Sequence, residues 1–394
     1  MLNEKTKLDA IMIREPFSDI EIETIRKLGQ ISNELMDYFF EREDIIQCMN
    51  IAKLSKQHMV FIGPAGIAKS AIIEEYAKYF QDCKIFSALL TKFSTPEELF
   101  GPPSIKKLKQ DIFERNTKDM MPESEFAFLD EIFNANSSIL NALLKLINER
   151  IFQGKPAKLE NMFAATNFTP EEKALVAFFD RILFRYMVAD IHETKNFKKM
   201  FLSGKKTPPK FSVSTAEINQ LRSRIPEVDA TPIMKNIVKI RNSLKKEMIE
   251  PSSRRFKWAK WAMQSRAILN KRLYLIEDDL DILKHILWTD KKEIPIVEMA
   301  ILKAISPISA RIQILIQQGV EIEVKSRKLD PEDPNELINI RENSIKLNEI
   351  RSEMAEIKES NSLNIKIANF VNQADSKMET LSDKLIQRYM KKRD

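Results

Sequence analysis

From the start of the chain to about residue 202, short apolar runs alternate with stretches whose apolar side chains recur every three or four positions. That alternation predicts buried parallel strands joined by amphipathic helices. The runs are His58-Met59-Val60-Phe61-Ile62, Glu125-Phe126-Ala127-Phe128-Leu129 and Met162-Phe163-Ala164-Ala165-Thr166. A helical pattern of Ala71, Ile72, Ile73, Tyr76, Ala77 and Phe80 follows the first run. Gly204-Lys205-Lys206-Thr207-Pro208-Pro209 reads as a linker, and amphipathic helices continue to about residue 300. Beyond it helix dominates, broken at Asp330-Pro331-Glu332-Asp333-Pro334. Ile340, Leu347 and Met354 then recur every seventh residue, with Ile350 and Ile357 three after the last two, a coiled-coil-like seam. Leu363, Ile367, Phe370, Ala374, Met378, Leu381 and Leu385 extend it, while Asn343 interrupts it and points to a fixed register or a helical hairpin. The expected organisation is an α/β core over 1–202, an all-α domain over 203–300, and a helical hairpin or coiled-coil-like extension over 301–394.

Composition sharpens this picture. Seven glycines in 394 residues fall far below the usual ~7%, so the chain is mostly helical and each glycine answers a local steric need. With two cysteines and three histidines, neither a disulfide framework nor a Cys/His zinc site organises the fold. No apolar run approaches the ~20 residues that span a bilayer, and the opening MLNEKTKLDA lacks a signal peptide's apolar stretch. A reducing, cytoplasmic setting is the expectation. The formal charge of +6 is uneven: Lys205 to Arg272 holds 17 Lys/Arg and 5 Asp/Glu, net +12, leaving −6 elsewhere. Such a block suits nucleic-acid phosphate, a solvated helical surface or an acidic neighbouring subunit. Nucleic acid is the less favoured of these, because the block contains no recognisable DNA-binding motif.

The first apolar run leads directly into Gly63-Pro64-Ala65-Gly66-Ile67-Ala68-Lys69-Ser70 and then a helix. Strand, small-residue loop, Lys-Ser and helix is the setting of a phosphate-binding P-loop. Backbone N–H groups wrap phosphate oxygens, Lys69 neutralises the β- and γ-phosphates, and Ser70 offers its hydroxyl to Mg²⁺. Ala68 stands where a glycine usually precedes the lysine, adding a methyl group near the phosphates. The second run ends in Asp130-Glu131, and an apolar strand has no packing use for two adjacent acids. There the first acid holds Mg²⁺, mostly through water, and the second polarises the attacking water. The third run ends at Asn167, which either caps a turn or orients that water beside the γ-phosphate.

On these residues the chain resembles the MoxR branch of AAA+ ATPases, and within it the RavA-like group. The resemblance is carried by Gly63 to Ser70 (GPAGIAKS), Phe93 to Gly101 (FSTPEELFG), Phe128 to Ile132 (FLDEI), Leu140 to Arg150 (LNALLKLINER), Ala164 to Asn167 (AATN) and Ser253-Arg254-Arg255-Phe256. It spans about Phe40 to Trp288, and Ala68 is itself typical of the group. It implies a P-loop AAA+ core followed by an all-α lid, and a hexameric ring with ATP between subunits. Lys69 and Ser70 would be Walker A, Asp130 and Glu131 Walker B, and Asn167 sensor 1. Arg181, after Asp180, would be the arginine finger on a neighbour's ATP, with Arg185 as competitor; the alternative is a helix-end arginine paired with Asp180. Arg254 would be the lid's sensor 2, with Arg255 as competitor, and Trp258 and Trp261 would belong to the lid core.

Arg150 to Leu159, with turn signals Gly154 and Pro156, would form a hairpin before sensor 1. The Phe93 to Pro103 loop would lie near the ring's axial face; either it or the hairpin would be placed to touch a substrate, with packing the simpler account of their aromatics. Phe39 or Phe40 and Arg42 would lie near adenine. RavA-like chains carry a β-rich C-terminal insertion, and this sequence shows none. The family further implies a protein-remodelling role with a von Willebrand A (VWA) partner. Rival readings are a DNA-associated motor, prompted by the basic block, and a scaffold that nucleotide locks without turnover.

Overall fold

The computed structural model describes residues 17–169, 173–204, 206–330, 333–360 and 365–390. Lys205, Pro331, Glu332 and Leu363 lie outside the described residues. The chain divides into two compact units, one ending at Val297 and one running from Glu298.

The first unit is built on five strands: β1 (Met59–Ile62), β2 (Ile85–Leu89), β3 (Phe126–Asp130), β4 (Asn161–Thr166) and β5 (Phe184–Met187). They form one parallel sheet in the order β2-β3-β4-β1-β5. The inner strands β1, β3 and β4 are buried along nearly their whole length, which is why they read as continuous apolar runs. Ile62 pairs with Thr166 and Leu129 with Ala164. That register brings the carboxyl ends of β1, β3 and β4 to one edge, the place where open α/β sheets bind ligands.

Around the sheet lie helices α1 (Asp19–Met36), α2 (Glu43–Leu54), α3 (Lys69–Ala77), α4 (Ser137–Glu149) and α5 (Lys173–Phe179). Helix α1 opens with a capping box in which Ser18 N donates to Glu21 Oε2 at 2.8 Å. It then buries Ile25, Leu28, Ile31 and Leu35 at helical spacing. Helix α3 is shorter than its apolar pattern predicts. It ends at Ala77, and Phe80 instead starts a two-residue strand paired in parallel with Val213–Ser214, its ring 4.9 Å from that of Tyr76. The all-α lid follows as α6 (Thr215–Ser223), α7 (Met234–Lys246) and α8 (Ser253–Leu269), with a 3-10 segment at Glu277–His285.

The second unit holds α9 (Pro307–Ser326), α10 (Pro334–Ser360) and α11 (Ile365–Met390). The expected hairpin is α10 with α11, but the unit is a three-helix bundle. Ile312 and Leu315 of α9 share one core with Leu347, Met354, Val371 and Met378, so a third amphipathic helix completes the burial of the seam. Asn343, the break in the apolar pattern, donates through Nδ2 to Ser326 Oγ of α9 at 2.9 Å.

Candidate active site

The loop from Gly63 to Ser70 joins β1 to α3. Gly63 N donates to Thr166 O of β4 at 3.1 Å. A Cβ on Gly63 would lie 2.3 Å from Val188 O, just past β5, so only glycine fits beneath that strand end. Ala68, the residue before the lysine, has φ 63° and caps α3 from the left-handed region. A side chain there costs roughly 1–2 kcal/mol relative to glycine, a strain the surrounding loop has to hold.

Lys69 Nζ donates to Gly63 O and Pro64 O, both at 2.6 Å, and to Asn167 Oδ1 at 2.8 Å. Burial lowers its pKa, and Glu131 and Asp130 pull it back up. Ser70 Oγ donates to Asp130 Oδ2 at 2.7 Å, and Glu131 N donates to Asp130 Oδ1 at 3.0 Å. Asn167 turns its other hand to the second acid, Nδ2 to Glu131 Oε1 at 2.5 Å. Lys69, Asn167 and Glu131 thus form one continuous hydrogen-bonded line across the loop, β4 and β3. Glu131 sits at φ 53°, also left-handed, starting the 3-10 turn Ile132–Asn134. Asn134 Nδ2 approaches Glu131 Oε2 at 3.4 Å. Sequence reading missed Asn134, although its place one 3-10 turn after Glu131 was the available signal.

Mg²⁺ takes oxygen ligands and keeps most of its coordination in water and phosphate. Ser70 and Asp130, two oxygen donors already in contact, fit such an ion. Among the described residues no group of three or more His, Cys, Asp or Glu side chains converges to hold a metal alone.

Two of the four candidate arginines are buried among their partners. Arg185 is fully buried, donating to Ile182 O at 3.2 Å, Phe179 O at 2.8 Å and Trp288 O, with its guanidinium 4.2 Å from the Phe179 ring centroid. Burial, then the neighbouring Arg255, pushes its pKa well down. So enclosed a group cannot reach another chain. Arg255 is buried too, paired with Asp180 Oδ1 and donating to Leu287 O at 3.3 Å and Thr289 Oγ1 at 3.2 Å. Arg254 is exposed in the first turn of α8, 5.7 Å from the Trp258 ring. Arg181, just past α5, donates back to Ala177 O of that helix at 2.5 Å. The alternative in which Arg181 pairs with Asp180 is corrected: the partner of that carboxylate is Arg255.

Two other expectations, at Phe93 and Trp261, are also revised. Phe93 is 91% exposed, so packing does not explain it, whereas Phe100 of the same loop is buried and stacks on Phe152 at 5.1 Å. Trp261 is 38% exposed and is no core residue, because the inward face of α8 is taken by Ala259, Ala262 and Met263. Phe39 is buried, and Arg42 donates to Glu41 O at 2.8 Å and to Ala189 O at 2.6 Å, tying the approach to α2 onto the segment after β5. The hairpin forms at Ile151–Phe152 and Lys155–Pro156.

A model of the MoxR domain found in MoxR-vWA-β-propeller ternary systems matches residues 26–225, and a model of an AAA lid domain matches residues 232–301. Two uncharacterised proteins of Methanocaldococcus jannaschii are each 41% identical to this chain, over 284 and 281 residues. Those matches cover 71% and 70% of this chain and 74% and 75% of the relatives. The structural protein ORF618 of Acidianus two-tailed virus is 30% identical over 174 residues, which is 42% of this chain and 28% of that one. The crystal structure of a candidate ATPase from Cytophaga hutchinsonii superposes with a TM-score of 0.57 at 18% identity, covering 72% of this chain and 96% of that one. At that identity the likeness concerns the fold.

Proposed function

Because the chain belongs to the MoxR family of AAA+ ATPases, we propose that it hydrolyses ATP on the Gly63–Ser70 loop as a ring of identical subunits, six by the family pattern. The observation that carries this reading is the unbroken line from Lys69 through Asn167 to Glu131. In the reaction Lys69 exchanges the loop carbonyls for β- and γ-phosphate oxygens, and Asn167 holds Glu131 toward the γ-phosphate. Glu131 then polarises the attacking water. Ser70 and Asp130 hold Mg²⁺, which when bound neutralises charge on the phosphates. Arg181 of one subunit serves the ATP of the next, and exposed Arg254 reaches that of its own.

The work of this cycle is the remodelling of a protein client in the cytoplasm, together with a VWA-domain partner. The matched domain description, which names vWA proteins, supports that partner. RavA-like placement draws its support from the shared motifs alone. No helix among the described residues is long and apolar enough to cross a membrane.

Glu131→Gln tests the reading: it should bind ATP and Mg²⁺ normally while turnover falls ~10²-fold or more. Undiminished turnover would remove Glu131 from the chemistry, and a wild-type chain without turnover would leave the nucleotide-locked scaffold.

One observation favours a second reading, a DNA-associated motor. Helix α7 buries Asn236, Ile240 and Leu244 and exposes Lys235, Lys239, Arg241, Lys245 and Lys246, none of which forms an ion pair among the described residues. Salt-dependent DNA binding that stimulates ATP turnover would favour it. Turnover indifferent to DNA would favour the protein client.

A further inference from the structure

Two adjacent pairs of residues meet at the junction of core and lid. Arg254 and Arg255 stand side by side in the first turn of α8. Asp180 and Arg181 stand side by side just past α5. One member of each pair is locked to the other: Arg255, buried, is paired with the Asp180 carboxylate, and Ser252, the cap of α8, approaches Asp180 Oδ2 at 3.5 Å. The remaining member of each pair, Arg254 and Arg181, bonds outside this clasp.

The clasp is firmly built. Arg255 also reaches Leu287 O, Trp288 O and Thr289 Oγ1, and Arg185 donates to the same Trp288 carbonyl while standing 4.0 Å from Asp180. Behind it, Phe178 and Phe179 of α5 pack edge-on against Phe133, in the turn that follows Glu131. The first turn of α8 therefore cannot tilt without carrying Asp180, and Asp180 cannot move without its neighbour Arg181.

We propose that Asp180 and Arg255 are positioning residues that link a subunit's own nucleotide to the finger it extends to the next subunit. The inference rests on the proposed roles of Arg254 and Arg181. When Arg254 engages the γ-phosphate at its own site, the first turn of α8 is fixed. Through Arg255 and Asp180 that fixes the chain at Arg181. A subunit whose lid has not closed on ATP then presents Arg181 poorly, so turnover at one site depends on occupancy at the adjacent one. Coupling here runs through an identified ion pair with charge-assisted hydrogen bonds, which one substitution breaks.

Mixed assemblies test this. Acceptor subunits carry Arg181→Ala, which leaves their own phosphate loop intact but removes their finger. Donor subunits carry Glu131→Gln, which leaves Arg181 but removes their own turnover. All hydrolysis in the mixture then comes from acceptor sites served by donor fingers. Adding Asp180→Asn to the donor should lower that hydrolysis at least 10-fold while its ATP affinity stays within error. A donor bearing Lys69→Ala in place of Glu131→Gln, unable to grip ATP, should fail to the same degree. Equal hydrolysis with the clasp-broken and clasp-intact donors overturns the proposal, even if Arg181 acts in trans. No hydrolysis with the clasp-intact donor overturns the trans finger itself and the proposal with it. An Asp180→Asn donor that melts earlier is replaced by Asp180→Glu, which keeps the charge and should restore at least half of the hydrolysis. Failure of Asp180→Glu in a normally folded donor also counts against the ion pair as the link.

Discussion

The two units spend their sequence differently. Among the described residues, the unit ending at Val297 holds eleven non-glycine residues at positive φ, among them Ala68 within the Gly63–Ser70 loop and Glu131 at the end of β3. Among the described residues, the unit from Glu298 holds none. Its three helices instead close on a core of Ile312, Leu315, Leu347, Met354 and Met378. The first unit accepts backbone strain where it points polar groups at one another, as at Glu131, which reaches Asn167 and Asn134 from a left-handed conformation. The bundle makes no such demand among its described residues. Substitutions at the strained polar site of the first unit should therefore register in turnover, and those in the second unit in stability alone.

The comparison is tested most strongly at Arg181. Arg181→Ala should lower turnover ~10³-fold or more with ATP binding kept, read by steady-state hydrolysis beside nucleotide titration. A loss under tenfold would assign the finger elsewhere.

Next come the two adjacent lid arginines. Arg255→Ala strips the partner from Asp180 and empties a buried site, and should cost about 3 kcal/mol in chemical denaturation of the first unit. Arg254→Ala should change stability by less than ~0.5 kcal/mol yet slow turnover at least tenfold. Reversed outcomes would exchange their roles.

Acid should also strike the first unit. Burial lowers the pKa of His58 to about 3 and that of His285 to about 4. His58 is held neutral: its Nδ1 accepts from Met162 N at 3.0 Å, so Nε2–H donates to Ile147 O at 3.0 Å. Both histidines take up protons first in the unfolded chain, so their contribution is whole above pH ~6.5 and falls as the pH drops through that value toward 4 and then 3. The slope is ~1.4 kcal/mol per pH unit for each histidine, and urea midpoints measured from pH 7 to 4.5 will show it or show a flat line.

The smallest effect belongs to the bundle. A Cβ on Gly319 would come within 2.4 Å of Met378 Sδ. The thioether can bend away at some cost, and alanine returns up to ~1 kcal/mol of helix propensity. Gly319→Ala should thus lose only about 1 kcal/mol, seen as a small drop in melting temperature with turnover unchanged. A change in turnover would break the division between the units.

The place of the Gly63–Ser70 loop beside Asp130 and Glu131 was legible because it lies in contiguous words. Gly63 to Ser70 and Asp130-Glu131 each follow a buried strand, and parallel pairing alone brings their ends together. The assignments among arginines were not legible. Arg254 and Arg255 are equivalent in sequence until α8 takes its rotation, which turns one outward and buries the other against Asp180. Arg185 looked as free as Arg181 until β5 carried it into the interior. Phe93 and Phe100 share one loop, and the capping of Pro96–Phe100 by Thr95 decides which of them is enclosed. The helix before the Asp330–Pro334 break was expected, but not its place in the bundle, because the pairing of Pro307–Ser326 with the heptad-like seam is a long-range choice that periodicity does not encode.

The hydrogen bond from Asn343 to Ser326 sets more than a local geometry. Sliding α10 by one turn, about 5.4 Å, would draw that amide away from its hydroxyl and leave a half-buried polar group unmatched, at a cost of about 1–3 kcal/mol. Apolar seams alone tolerate such slippage far more readily. Two helices pinned in this way keep a constant length under load, as a rigid strut does and a telescoping one does not.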